Sequence, residues 1–126
     1  MPLDPCVFLW LADAQEMLSP RARQLIADNA ASLFISSISA FEIALKHRKG
    51  ALRLPLSPSD WIAEALEHHG ITDIPVDWRV AERSASLPPL HRDPAGRLIV
   101  ATALTTGLPI LTPDPLIKAY DATVFW

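Results

Sequence analysis

Apolar residues in this chain come in short blocks separated by prolines, serines and glycines, and two spacings alternate along it. Compact apolar runs at the start around Leu3, at Leu33 to Ser36, at Ile71 to Val76 and at Leu108 to Leu111 read as strands, with a short fifth at Thr123 to Phe125. The stretches between them carry helical spacing and recognisable ends. Ser19-Pro20 opens a helix with Leu25 and Ile26 facing inward, and Ser57-Pro58 opens another that carries Trp61, Ile62, Ala65 and Leu66 and stops at Gly70. Ser39-Ala40-Phe41-Glu42 has capping-box spacing and predicts a helix running to Gly50, with a basic last turn at Lys46 to Lys49. Asp77 caps a helix that ends before Leu87-Pro88-Pro89, and Asp93-Pro94 opens the most apolar one, through Leu98, Ile99, Ala101, Ala103 and Leu104 to Gly107. Strands alternating with helices predict an α/β fold in which crossover helices flank a mostly parallel sheet.

Composition narrows this to one soluble domain spanning residues 1–126. The 126 residues are 50% hydrophobic, yet no apolar stretch reaches the roughly 18 residues of a membrane span. The single Cys6 has no internal disulfide partner, and the first residues lack the basic-then-apolar pattern of a secretion signal, so a cytoplasmic location is expected. With 14 acids against 11 bases the net charge is −3, which removes the overall basic balance common in nucleic-acid binders. Nucleic-acid contact would then depend on a local basic patch.

The acids change the picture most. In open parallel sheets, ligands bind beyond the carboxyl ends of the strands. Asp4 and Asp114 each follow an apolar run, Glu42 lies in the first turn of the helix after the second strand, and Asp93 opens the buried helix near the same edge. Each also has a structural reading. Asp93 before Pro94 and Asp114 before Pro115 suit helix N-caps, and Glu42 could return a hydrogen bond to the backbone of Ser39. Asp4 is the hardest to explain structurally, because a carboxylate beside a core needs a partner.

Taken in order, Leu3-Asp4-Pro5-Cys6-Val7-Phe8-Leu9-Trp10, Ser36 to Ala44, Leu87 to Pro94, Arg97-Leu98-Ile99-Val100-Ala101-Thr102-Ala103 and Leu111-Thr112-Pro113-Asp114 resemble the PIN-domain ribonucleases of the VapC toxin type over nearly the whole chain. The resemblance implies a three-layer α/β domain with a mostly parallel central sheet of four to five strands. It also implies an Mg²⁺- or Mn²⁺-dependent endoribonuclease that is a homodimer and is silenced by a small antitoxin. Asp4, Glu42 and Asp114 match the family's first, second and fourth acids, the ligands and water-activating groups of the metal site. The third acid normally sits directly before the Arg-Leu-Ile-Val-Ala stretch, where this chain has Gly96. Pro5 stands where the family usually has Ser or Thr. An interior helical glycine costs roughly 1 kcal/mol against alanine, and an acid in the first turn would favour the helix dipole, so neither the helix nor the metal asks for glycine there. The expectation is therefore a nuclease scaffold with activity impaired at Gly96; the alternative is a non-catalytic PIN-like partner-binding module.

Among the remaining candidates, Arg97 and Arg92 flank the acidic rim and could grip a phosphate bidentately, while Lys46 to Lys49 are equally explained by the helix dipole. His91 reads as structural or solvated rather than as a proton carrier, and His47, His68 and His69 lack zinc-ligand spacing with a cysteine. Trp10, Trp61, Trp78 and Trp126 read as core or interface, and Cys6 as a small buried hydrophobe.

Overall fold

A computed structural model describes all residues from Met1 to Trp126. Four short strands, β1 (Phe34–Ser36), β2 (Thr72–Ile74), β3 (Ile110–Leu111) and β4 (Val124–Phe125), occupy the predicted places. They form two parallel pairs, β1 with β2 and β3 with β4. The first apolar residues do not make a strand of their own. They lace the two pairs together through isolated parallel bridges, Pro2 to Phe34 and Leu3 to Leu111. Leu3 N–H donates to the Phe34 carbonyl at 2.8 Å and Asp4 N–H donates to the Leu111 carbonyl at 3.0 Å. The mostly parallel sheet is thus made of two two-stranded ladders joined through bridges at residues 2–3, rather than of four to five continuously paired strands. Extended pairing at the N-terminal segment is cut short because Pro5 starts a helix.

Seven α-helices surround the strands: α1 (Pro5–Asp13), α2 (Pro20–Asp28), α3 (Ser37–Arg48), α4 (Pro58–His69), α5 (Trp78–Ser86), α6 (Pro94–Thr106) and α7 (Pro115–Lys118). Their starts follow capping chemistry closely. Ser19, Ser57, Asp77, Asp93 and Asp114 are N-caps, and Gly70 and Gly107 close α4 and α6 in the left-handed conformation. The capping box at Ser39 is not used. α3 starts earlier, capped by Ser36, whose hydroxyl accepts from Ile38 N–H at 3.3 Å. Ser39 is then a fully buried helical residue whose hydroxyl has no partner. Glu42 is thereby displaced from the first turn and freed from a capping role.

Two apolar clusters support this frame. One gathers Leu3, Val7, Phe8, Ile35, Ile43, Trp61 and Leu111 among others, with Phe8 and Trp61 edge to face at 5.6 Å. The second joins α6 to β3 and α7 through Ile99, Val100, Ala103, Ile110, Ile117 and Tyr120. Burying the Leu, Ile, Val and Phe side chains among these stabilises the fold by about 1.5–3 kcal/mol each. Trp61 is core as expected, and Trp10 packs on Trp126 at the edge of the first cluster. Trp78 departs from the core reading: it is 70% exposed, with the Arg79 guanidinium 4.7 Å from its ring centroid.

Candidate functional site

Asp4, Asp93 and Asp114 are each followed by proline, and each performs the same local task. Their Oδ1 atoms accept from the N–H two residues on: Cys6 at 2.9 Å, Ala95 at 3.1 Å and Leu116 at 2.9 Å. Proline at the first helical position has no N–H to satisfy and its fixed φ suits the turn, so each Asp-Pro pair starts a helix at a defined angle. Cap and site are therefore not alternatives. One oxygen of each carboxylate anchors a helix start, and the cap makes no use of the other.

That cavity, of ≈ 380 Å³, is lined by Asp4, Glu42, Asp93 and Asp114 together with Lys46, His91 and Gly96. The four acids come from the starts of α1, α6 and α7 and from the body of α3. Asp4 is buried, and its Oδ2 accepts from the Thr112 hydroxyl at 2.7 Å. The same Thr112 oxygen accepts from Asp114 N–H at 3.1 Å, so one threonine ties the first acid to the last. Glu42 shows the electrostatic strain of the group. Burial, then a hydrogen bond with Asp93 and its charge, push its carboxyl up to about 7, while Lys46 opposes the shift. Burial and the neighbouring Asp4 also push the half-buried Cys6 thiol far up, so Cys6 is no nucleophile.

The donor set consists of hard oxygens, which suits Mg²⁺ or Mn²⁺. No three of the His, Cys, Asp and Glu side chains stand close enough to hold one ion directly. A hard divalent ion needs only one or two carboxylates when water and substrate phosphate complete its octahedron. On that criterion the residues fit.

Several expectations change at this point. Arg97 does not face the cavity. Its Nη2 donates to the carbonyls of Ser84 at 3.0 Å, Ala85 at 3.5 Å and Leu87 at 3.3 Å, closing the C-terminal end of α5. The structure thus corrects Arg97 from phosphate clamp to helix cap. Arg92 is exposed and also absent from the cavity wall. Lys46 is the basic residue that does line it, and its position one helical turn after Glu42 was the available signal.

Gly96 also reads differently. A Cβ at this position would lie 2.7 Å from Nε2, 2.8 Å from Cδ2 and 2.9 Å from Cε1 of His91, well inside van der Waals contact. With His91 in this position, local packing therefore does ask for glycine. His91 is neither solvated nor incidental: it is 9% exposed, and its Nε2 lies 2.9 Å from Asp114 Oδ2.

The PIN domain family matches residues 1–122. The chain belongs to that family. Among PIN-domain relatives, ribonuclease VapC22 of Mycobacterium tuberculosis is 30% identical over 119 residues, covering 94% of this chain and 89% of the relative. Solved structures with this PIN fold include VapBC2 of Rickettsia felis bound to a fragment of promoter DNA, with a TM-score of 0.73 and 12% identity over 98% of this chain and 96% of that one. A toxin-antitoxin complex from Klebsiella pneumoniae gives a TM-score of 0.68 and 18% identity over 99% of this chain and 95% of the other.

Proposed function

We propose that this PIN domain is a metal-dependent endoribonuclease, the cytoplasmic toxin of a toxin-antitoxin pair, homodimeric and held inactive by a small antitoxin. The observation that carries the reading is the convergence of four carboxylates from four segments on one cavity, with Glu42 raised to about 7 by burial and by Asp93. The name of the VapC22 relative supports a ribonuclease, and the complexes among the structural neighbours support an antitoxin partner.

Asp4 and Asp114 would hold Mg²⁺ or Mn²⁺ with lone pairs that capping leaves over. The bound cation supplies charge compensation for the phosphate oxygens and a more acidic water. Glu42, poised near neutral pH, accepts the proton of the attacking water; matching a base to the working pH makes this transfer efficient. Lys46 offers a cation for the RNA backbone at the cavity edge. Gly96 deprives the site of one negative charge and one oxygen ligand, so cation affinity and turnover are lower than in a PIN domain that carries an acid at this position.

The test is cleavage of total RNA across a Mg²⁺ and Mn²⁺ titration, comparing the protein with Asp4→Asn, Asp114→Asn and Glu42→Gln. Cleavage should require the ion and be lost in the aspartate variants, and Glu42→Gln should slow it roughly 10²- to 10⁴-fold. Ion-independent cleavage, or none under any condition, overturns the reading and leaves the partner-binding module.

A further inference from the structure

We propose that Gly96 and His91 work as a pair: the missing side chain at 96 admits the His91 imidazole, which stands in the place of an acid there and acts as the positioning residue of Asp114. The part concerning Asp114 rests on the nuclease reading above, whereas the steric part does not.

The ring is held from several sides. The His91 backbone N–H donates to the Tyr120 hydroxyl at 2.9 Å, and that hydroxyl donates to the Pro88 carbonyl at 2.7 Å, which anchors residues 88–91 to the turn after α7. Asp93 N–H donates to His91 Nδ1 at 3.1 Å. A nitrogen that accepts cannot carry the proton of a neutral imidazole, so the proton resides on Nε2 and is donated to Asp114 Oδ2. The same tautomer rules out Nε2 as a direct metal ligand in this arrangement, since ligation requires a free lone pair there. His91 is thus an outer partner that orients a carboxylate, with Oδ1 of that carboxylate already committed to Leu116 N–H.

The ring can hold this position only because nothing projects from residue 96. A Cβ would fall within 2.9 Å of three ring atoms, and relieving the contact would pull the imidazole off Asp114, off Asp93 N–H, or both. Asp at 96 would therefore not simply restore a missing ligand. It would displace the group that now orients Asp114.

Gly96→Ala tests the steric half without adding charge. In an ordinary helix interior alanine raises stability, so the pairing predicts a reversal of sign. Gly96→Ala should lower the melting temperature by about 3–6 °C in the native background and raise it in a His91→Ala background. Should His91→Ala fail to fold, His91→Asn, which lacks the far ring atoms, serves as the second background. An equal shift of Tm in both backgrounds overturns the pairing, whether or not the protein cuts RNA. For the positioning half, Mn²⁺ affinity is measured by calorimetry. His91→Ala should weaken it about 10- to 100-fold, and His91→Gln, which keeps a donor near the Nε2 position, should recover part of the loss. Unchanged Mn²⁺ affinity in His91→Ala sinks that half, while no Mn²⁺ binding by the parent protein sinks the metal-site reading itself.

Discussion

The Thr112 hydroxyl donates to Asp4 Oδ2 at 2.7 Å across 108 positions of sequence, inside the protein, and accepts from Asp114 N–H with the same oxygen. Thr112→Val preserves shape and removes both interactions. A hydrogen bond to a buried charge contributes about 1.5–3 kcal/mol, so chemical denaturation should show a loss of that size. Mn²⁺ affinity should fall about 10-fold or more, because partners of ligating carboxylates tune the site.

Glu42 sets a pH dependence whose direction is fixed by its environment. Its carboxyl is raised from 4.5 to about 7, by burial first and Asp93 second, so between these values the folded chain binds more protons than the unfolded one. Stability of the cation-free protein should therefore fall as pH rises from about 4.5 to about 7. Melting curves across this range check it, and Glu42→Gln should flatten the slope. Added Mn²⁺ should raise Tm most near pH 7, where Glu42 most readily gives up its proton.

Asp93 serves two functions that substitution can separate. Asp93→Ser keeps an N-cap for α6 but removes the charge beside Glu42, so the Glu42 carboxyl should titrate lower in NMR while Tm changes little. Asp93→Ala removes the cap as well and should cost about 1 kcal/mol. An unmoved Glu42 titration in both variants would show that Asp93 has no part in setting it.

Arg97→Met should destabilise the protein by about 2 kcal/mol, because three carbonyls at the end of α5 lose a charged donor. Arg97→Lys should recover only part of this, since an ammonium cannot reproduce the guanidinium geometry. For RNA cleavage measured below the melting transition, KM should stay near the parent value. A large rise in KM with Tm unchanged would return Arg97 to the substrate site.

Much of the fold was legible because punctuation is local. Ser-Pro, Asp-Pro and the glycines after α4 and α6 marked helix ends through chemistry that acts within a few residues. Residues after Asp4 were harder: Pro5 to Ala12 is apolar throughout and lacks a polar face, so its helix was not separable from the strand before it. Asp4, Glu42 and Asp114 were identifiable as candidates, and all three line the cavity. Thr112 and the His91–Gly96 contact were not, because each depends on which segments touch, whereas Lys46 was signalled only by its place one turn after Glu42. Arg97 was misplaced for the same reason: nothing in its neighbours along the chain reveals that the end of α5 lies within its reach.

The pairing of β3 with β4 gives the chain's far end a bearing on chemistry. Phe125 offers its carbonyl to Thr112 N–H at 3.0 Å, and Thr112 in turn grips Asp4 and Asp114. A tag, cut or fusion that disturbs Val124–Phe125 would therefore perturb catalysis without touching an acid. Recombinant handles belong elsewhere on this protein if its activity is to be measured faithfully.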